Sequence, residues 1–290
     1  MARPQQLSEA QIAELFDPPT EQRDLVRHFT LSEADLGAIR RCRGDHNRLG
    51  YALMLCYLRH PGRALRSGER PPPALLAFVA EQIGILPDAV DGYLAAERNR
   101  QRHAVECQEQ LGLRPFGKRA AAELASALLP QAIEDDRFAR LADLVMEKCR
   151  QHRIVVPSPA ALERLCAELR HQARPEVYRR LTDGLTAEQR RRLDALTQRR
   201  EETSQNWLTW LRQMPEAAKP RAMLGLIERL EHVRAIGIEP GRGHLVHQAR
   251  FALLCSRGWP HHRAACRRLR AAAPARDAGR HQPGPCRQPD

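Results

Sequence analysis

One local pattern recurs along most of the 290-residue sequence: a helix-start signal, then apolar residues three and four positions apart, then a proline or glycine. Ser8 with Gln11 and Thr186 with Gln189 have the spacing of capping boxes, which satisfy free backbone N–H groups at a helix start. Apolar residues three and four apart share one helix face. The single strand-like run, at 155–156, is too short to build a sheet. The sequence therefore predicts an all-α fold.

Interruptions of the helical pattern predict how the chain is divided. Breaks in the helical pattern, each with proline or glycine, fall near 62–73, 112–118 and 154–158. We therefore expect several small helical domains in series, with helix-turn-helix character, followed by a tail. The predicted segments are a first DNA-binding domain at 1–66, a second at 67–135, a third helical domain at 136–254, and the tail at 255–290.

The charge balance indicates the kind of partner. Lys and Arg number 47 against 35 Asp and Glu, a formal net charge of +12. This excess predicts an anionic partner, with nucleic acid first. No apolar run approaches the length of about 18 residues that indicates a transmembrane helix, and no apolar signal segment opens the chain. We expect a cytoplasmic protein with reduced thiols and no membrane partner.

The positive charge is concentrated at the C-terminal end. Residues 255–290 contain eight Arg and two Asp and so carry +6, half of the total. They contain one Leu and no Ile, Val, Phe, Met or Tyr. Such a segment buries too little apolar surface to offset its ordering entropy, so we expect a disordered basic tail.

The common signatures of catalytic and metal sites are missing from the sequence. It has no glycine-rich phosphate loop, HExxH, GxSxG or CxxC motif. Asp135 and Asp136 are neighbours that would point to different faces, which favours a helix-start charge pair over a metal site. We expect no catalytic residue, metal or cofactor. Four tail residues resemble zinc ligands and are interpreted as accidental: Cys255, His261, His262 and Cys266.

A first DNA-contact segment runs from residue 40 to residue 49. A helix ends in a basic run, Gly44 follows, and the next helix opens with polar residues. A helix-turn-helix places the first turn of its second helix against base edges, where Asn reads adenine and Arg reads guanine. A plain surface helix hairpin remains the alternative. The predicted contacts are Arg40, Arg41 and Arg43 with phosphates, and Asn47 and Arg48, helped by His46, with bases.

A second segment has the length of a helix-turn-helix. An apolar helix, a turn at Gly84 and a short helix span residues 75–93, and a polar helix with basic residues follows. Basic groups there would contact phosphates. Acidic residues at 97, 106 and 109 lower the net positive charge of this polar helix. A solvent-exposed helix face without DNA contact therefore remains the alternative. The predicted second-tier phosphate contacts are Arg98, Arg102, Lys118 and Arg119, within a basic run that also includes Arg100 and His103.

Several stretches, in order, carry a family resemblance. They are LVRHFTL at 25–31, NRLGYA at 47–52, LRPF at 113–116, IERL at 227–230 and VHQAR at 246–250. Together they resemble the opening of the replicative transposases of the Tn-three family. The resemblance implies helical domains that bind the terminal inverted repeats of a transposon. It places an Asp-Asp-Glu triad that holds Mg²⁺ in a later domain of a protein roughly three times as long.

After residue 254 the sequence departs from that family. Members continue with Leu-Ala-Arg-Glu-Gly-Gly and later with Arg-Arg-His-Ala-Thr-Leu-Val-Ala. A one-base frame shift lets the codons of residues 273–281 encode the second string. We interpret the residues from about 255 onward as out-of-frame translation. In that case half of the net charge and the zinc-like residues carry no function of the family.

The leading hypothesis is therefore a transposase fragment that binds double-stranded terminal-repeat DNA without strand transfer. The rival is a helical protein-interaction module, or a regulator that pairs with a full-length transposase, with a contact surface at 207–211. Core packing is the alternative for the tryptophans there. A metal-dependent nuclease is disfavoured, since the sequence offers no cluster of acids.

Overall fold

The computed structural model describes residues 7–200, 203–213, 220–239 and 242–258. Within these ranges the chain is helical, with isolated β-bridges between Arg114 and Ile154 and between Arg199 and Asn206 in place of strands. The predicted all-α fold is confirmed. The α-helices are α1 (Glu9–Phe16), α2 (Gln22–Phe29), α3 (Glu33–Arg40), α4 (Asp45–Arg59), α5 (Pro73–Ile83), α6 (Val90–Leu94), α7 (Glu97–Gln110), α8 (Lys118–Glu134), α9 (Phe138–Gln151), α10 (Pro159–Thr182), α11 (Ala187–Ala195), α12 (Trp207–Arg212), α13 (Pro220–Ala235) and α14 (Gln248–Gly258), with 3₁₀ turns at Pro87–Ala89 and Arg242–Leu245.

The predicted capping boxes form. Ser8 accepts a hydrogen bond from the backbone N–H of Gln11, and the Gln11 side chain accepts from Ser8 in return. Thr186 and Gln189 do the same at the start of α11. Each box satisfies backbone donors that have no partner inside the helix. The helix starts are therefore fixed by local sequence.

Helix α4 is the centre of the first hydrophobic core. All ten residues from 49 to 58 are buried, and α4 contacts α2, α3, α5, α6 and α7. A helix that is apolar on every side belongs in a protein interior. The first turn of α4, residues 45–48, reaches the surface, and at the other end Arg59 is half-buried and paired with Asp35. With its middle buried, α4 is unable to lie lengthwise in a DNA groove.

A second core is formed by α8, α9 and α10 with α1. Leu7 and Phe16 pack there with the apolar faces of the three longer helices. Two hydrogen bonds join this core to the segment after α4: the Val156 N–H donates to the Gly62 carbonyl at 2.8 Å, and the Arg63 Nε donates to the Phe16 carbonyl at 2.8 Å. The strand-like run at 155–156 therefore links the second core to the segment that follows α4.

The chain divides into two compact units. The first comprises Met1–Leu181 with Leu245–Arg250, and the second comprises Thr182–His244 with Phe251–Asp290. Among the described residues of the second unit, the buried hydrophobic side chains are Leu196 and Ile236. The predicted domain boundaries within residues 1–254 stay predictions.

Asp136 has a different role from the one predicted. Asp135 caps the end of α8 and pairs with Arg137. Asp136 is fully buried and forms an ion pair with the equally buried Arg250, while the Arg170 Nε lies 3.7 Å from the Asp136 carboxylate. A buried carboxylate is strongly destabilising without a paired cation. Arg250, far away in sequence, supplies that cation, so the interpretation as a helix-start charge pair was wrong for Asp136.

Two other predictions concern membranes and the tail. No single described helix is both long and apolar enough to cross a membrane; one pair, Pro73–Ile83 with Pro87–Leu94, meets the length and composition test jointly but is bent by 104°.

Of the predicted tail, residues 255–258 continue α14, and residues 259–290 lie outside the described residues.

Candidate nucleic-acid interface

The turn between α3 and α4 exposes three arginines. Arg40 ends α3, Arg41 caps it and Arg43 precedes Gly44, and all three arginine side chains are exposed. Gly44 has a φ of 81°, a conformation that favours glycine, and a Cβ there would approach the His46 ring to 3.0 Å. The glycine thus permits a tight turn that carries three positive charges at the surface.

The two residues predicted to read bases also bind the turn itself. Asn47 Nδ2 donates to the Arg43 carbonyl at 2.8 Å, and Arg48 Nε donates to the Cys42 carbonyl at 3.0 Å. Turn carbonyls need such partners because they lie outside the helical hydrogen-bond ladder. Arg48 Nη1 also lies 3.6 Å from the Asp45 carboxylate. Asn47 and Arg48 are half-buried, and each stabilises the turn in the free chain through its hydrogen bond to a turn carbonyl.

Helix α7 lies beside this turn. Asn99, near its start, donates from Nδ2 to Asn47 Oδ1 at 3.0 Å. A groove between the turn and α7 brings together four of the predicted contact residues: Arg41, Arg43, Asn47 and Arg102. A smaller cleft is lined by Arg40 and Arg48 together with side chains from the end of α5.

The basic residues of α7 separate into exposed and buried ones. Arg98 and Arg102, one turn apart, are exposed. Arg100 is buried and binds Glu97 and, at 2.9 Å, the Ser67 hydroxyl. Buried in this way, Arg100 is unavailable to phosphates, so its place in the predicted basic run was wrong.

His103 is also buried, with 1% of its surface exposed, and its ring stacks on Tyr93 with centroids 5.6 Å apart. Burial, and after it the charge of Arg102, lowers the pKa of His103 to about 4. A neutral, buried ring is no phosphate contact, so this part of the run was wrong as well. Residues 100, 103 and 107 form the buried stripe of α7. Their helical spacing was a usable signal, hidden because two of the three are polar.

Lys118 and Arg119 belong to a different surface. Both are exposed at the start of α8, and neither lines the groove beside the α3–α4 turn. Arg119 Nε lies 3.0 Å from the Glu123 carboxylate, which also accepts from Arg114 Nη2 at 3.1 Å. Hydrogen bonds from Arg114 and then Arg119 lower the pKa of Glu123. The two predicted α8 contacts are therefore separate from the turn.

Two glycines that sequence reasoning missed position the site. A Cβ on Gly50 of α4 would lie 2.1 Å from the Tyr93 ring of α6. A Cβ on Gly92 would lie 3.2 Å from Cβ of His46, which is half-buried there. Both glycines let α4 and α6 approach closely. A glycine inside a helical pattern, which otherwise destabilises the helix, was the available signal.

The sequence analysis predicted reduced thiols and no metal site. In the part of the chain that the structure describes, no three His, Cys, Asp or Glu side chains form a group that could hold a metal ion. Of the zinc-like tail residues, only Cys255 is described. The described cysteines are free thiols, and burial raises the pKa of Cys56 and Cys166 to about 12.

The chain belongs to the family described as "Domain of unknown function (DUF4158)", whose profile matches residues 7–169. It is similar to the transposases for transposons Tn3926 and Tn21 of Escherichia coli, each 37% identical over 258 residues. The transposase for Tn501 of Pseudomonas aeruginosa is 36% identical over 252 residues. These matches cover 87–89% of this chain and 26% of each relative, so the chain spans about a quarter of the length of those relatives. The resemblance to Tn-three family transposases is confirmed, and the homology supports a transposase-related role.

Proposed function

We propose that this chain binds double-stranded DNA specifically, at the terminal inverted repeats of a transposon, through the α3–α4 turn and the exposed start of α7. The observation that carries the proposal is the groove that gathers Arg41, Arg43, Asn47 and Arg102. Guanidinium groups bind phosphate oxygens and fix the position on the duplex, while an asparagine amide offers the donor and acceptor that adenine requires.

The approach to DNA is end-on. Because residues 49–58 of α4 are buried, only its first turn is available, with His46, Asn47 and Arg48 as the base-reading candidates. Arg40, Arg41 and Arg43 extend from the turn before it, and Arg98 and Arg102 from α7. Lys118 and Arg119 form a second phosphate-binding surface on α8. We further propose that these 290 residues bind DNA without strand transfer, since the part of the relatives that they match is about a quarter.

The test is a fluorescence anisotropy titration. The probes are a duplex with the terminal repeat of the encoding element and a scrambled duplex of equal length and base composition, both at moderate salt. We expect at least tenfold tighter binding to the terminal repeat. Equal binding to both duplexes, or none, from a chain with a helical circular dichroism spectrum contradicts the proposal.

The second candidate function is a protein-interaction module that pairs with a full-length transposase, and helix α13 favours it. Met223, Ile227 and Leu230 lie on one stripe of α13 and are 62%, 47% and 56% exposed. The same helix packs polar groups inward: His232 stacks on Trp207 at 4.5 Å between ring centroids, and Arg229 lies 5.4 Å from the Trp210 ring. Contiguous exposed apolar surface is typical of interaction sites.

The contact surface of this second candidate therefore moves from residues 207–211 to α13. Leu230→Glu should abolish a complex between this chain and the full-length transposase of the same element, measured by size-exclusion chromatography with light scattering. Leu86→Glu, at an exposed apolar residue of the first unit, is the control. A complex that survives Leu230→Glu, or that never forms, rules out this candidate.

A further inference from the structure

The groove beside the α3–α4 turn contains acids as well as arginines. Glu106 and Glu109 line it together with Arg41, Arg43 and Arg102. Glu106 Oε1 lies 3.5 Å from Arg102 Nε, longer than a normal hydrogen bond, and both side chains are exposed. The pair is therefore loose and open to solvent, so another anion is able to replace the carboxylate.

The charge of Glu106 also reaches the turn. Burial raises the pKa of the Cys42 thiol, and the negative charge of Glu106 raises it further. Cys42 lies between Arg41 and Arg43, and its carbonyl accepts the hydrogen bond from Arg48. A phosphate that approaches Arg41 or Arg43 through the groove thus meets the charge of Glu106 as well, set against the positive charges of Arg102, Arg48 and Arg41, which lower the same pKa.

We propose that Glu106 is an internal competitor for DNA phosphates: it holds Arg102 in the free chain, and a phosphate has to displace it. This inference rests on the DNA binding proposed above and adds a device that limits its affinity. Non-specific binding comes almost entirely from phosphate neutralisation, so an acid in the groove weakens it directly. Contacts of Asn47 and Arg48 with base edges are left in place. Because the complex with the terminal repeat uses the same phosphate contacts, Glu106 lowers the affinity for both kinds of DNA.

The same arrangement occurs at two other predicted contacts. Arg48 lies 3.6 Å from Asp45, three residues earlier, and Arg119 lies 3.0 Å from Glu123, four residues later. Side chains three and four apart are neighbours on a helix, so these acids remain close to the arginines throughout. Glu106 differs from them because it also lines the groove that holds the arginines of the turn.

The experiment compares Glu106→Gln with Glu134→Gln, which makes the same charge change at an exposed residue that does not line the groove. Binding to a random-sequence duplex is titrated at several salt concentrations by fluorescence anisotropy. We expect Glu106→Gln to bind random DNA about two- to fivefold more tightly, the range for an exposed ion pair. The salt dependence should steepen by up to about one unit, since one more phosphate is neutralised. Binding to the terminal repeat should tighten by a similar factor.

A second pair of variants tests whether Glu106 acts through Arg102. In an Arg102→Ala background, Glu106→Gln should bring a smaller gain, because the competing pair is already gone and only the repulsion of phosphates near Arg41 and Arg43 remains. A gain of undiminished size in that background, or Glu106→Gln behaving like Glu134→Gln, overturns this inference while the proposed function stands. A chain that binds neither random nor terminal-repeat DNA overturns both.

Discussion

Asn99 donates a hydrogen bond of 3.0 Å to Oδ1 of Asn47, and this bond fixes the first turn of α4 against the start of α7. Asn47 Nδ2 donates in turn to the Arg43 carbonyl. Both polar atoms of the Asn47 amide are thus oriented in the free chain. Each keeps one further hydrogen-bonding position, which is what a bidentate contact with adenine needs.

Asn99→Ala should therefore weaken binding to the terminal repeat by about 0.5–1.5 kcal/mol, the contribution of one hydrogen bond, and leave binding to a scrambled duplex unchanged. Paired anisotropy titrations on the two duplexes measure this. Gln101→Ala, at an exposed amide two residues further along α7, is the control. An equal loss on both duplexes would show that Asn99 supports the fold alone.

Arg48 and Arg41 should behave differently. Arg48→Ala should weaken terminal-repeat binding by about 1–3 kcal/mol and relax sequence preference, while Arg41→Ala should weaken binding to every sequence and lower the salt slope by about one. Titrations at four salt concentrations separate the two effects. Because Arg48 also braces the Cys42 carbonyl, the thermal stability of Arg48→Ala is measured alongside. Equal losses on random and terminal-repeat DNA would rule out base reading by Arg48.

Gly50→Ala should destabilise the first core. The added methyl group would lie 2.1 Å from the Tyr93 ring, and overpacking of this kind costs about 1–3 kcal/mol. Gly37→Ala in α3, where nothing lies within 4 Å of an added Cβ, should be neutral or stabilising by up to about 1 kcal/mol. Urea denaturation measures both. A Gly50→Ala variant as stable as the unmodified chain would mean that α4 and α6 do not pack as closely as described.

Acid should weaken the fold through His103. Burial lowers its pKa to about 4, so below the unfolded value of about 6.5 the unfolded chain takes up the proton first. The contribution of neutral His103 to the free energy of unfolding is therefore complete above pH 6.5 and is lost as the pH drops from 6.5 towards 4. The loss is up to about 3 kcal/mol, since one pKa unit corresponds to about 1.4 kcal/mol. Urea midpoints at pH 7, 5.5 and 4.5 measure the fall, which His103→Gln should reduce. The exposed His152, substituted in the same way, is the control. An unchanged pH profile in His103→Gln would contradict the prediction.

The coding DNA tests the interpretation of residues 255–290. Read with a one-base shift, codons 273–281 should give Arg-Arg-His-Ala-Thr-Leu-Val-Ala. Sequencing across codons 250–290 decides this directly. An early stop or an unrelated string in the shifted frame would show that the tail is translated in its proper frame.

Helix starts were predictable because capping is local. Ser8 and Gln11 are three residues apart, and their mutual hydrogen bonds depend on little else. The burial of α4 was harder to predict, since it is decided by distant partners. The Tyr51 hydroxyl, for example, donates to Gln110, 59 positions away. An apolar helix that follows a basic turn is consistent with both a DNA reader and a core element until those partners are known.

In the candidate site, too, some features follow from local sequence and others depend on distant partners. Sequence spacing places Arg98 and Arg102 on one face of α7, but it leaves open which face packs inward. In the structure Arg100 and His103 face inward, where Arg100 donates to the Ser67 hydroxyl and His103 stacks on the Tyr93 ring. The gathering of Arg102 with the α3–α4 turn was equally hidden, because it depends on how α7 crosses the start of α4.

Arg250 follows residues 182–244 of the second unit in sequence, yet its guanidinium is buried with Asp136 in the first unit. The polypeptide is therefore fastened on both sides of residues 182–244. A single protease cut within that stretch would yield two bands on a denaturing gel, while the two pieces would still elute together from a native sizing column.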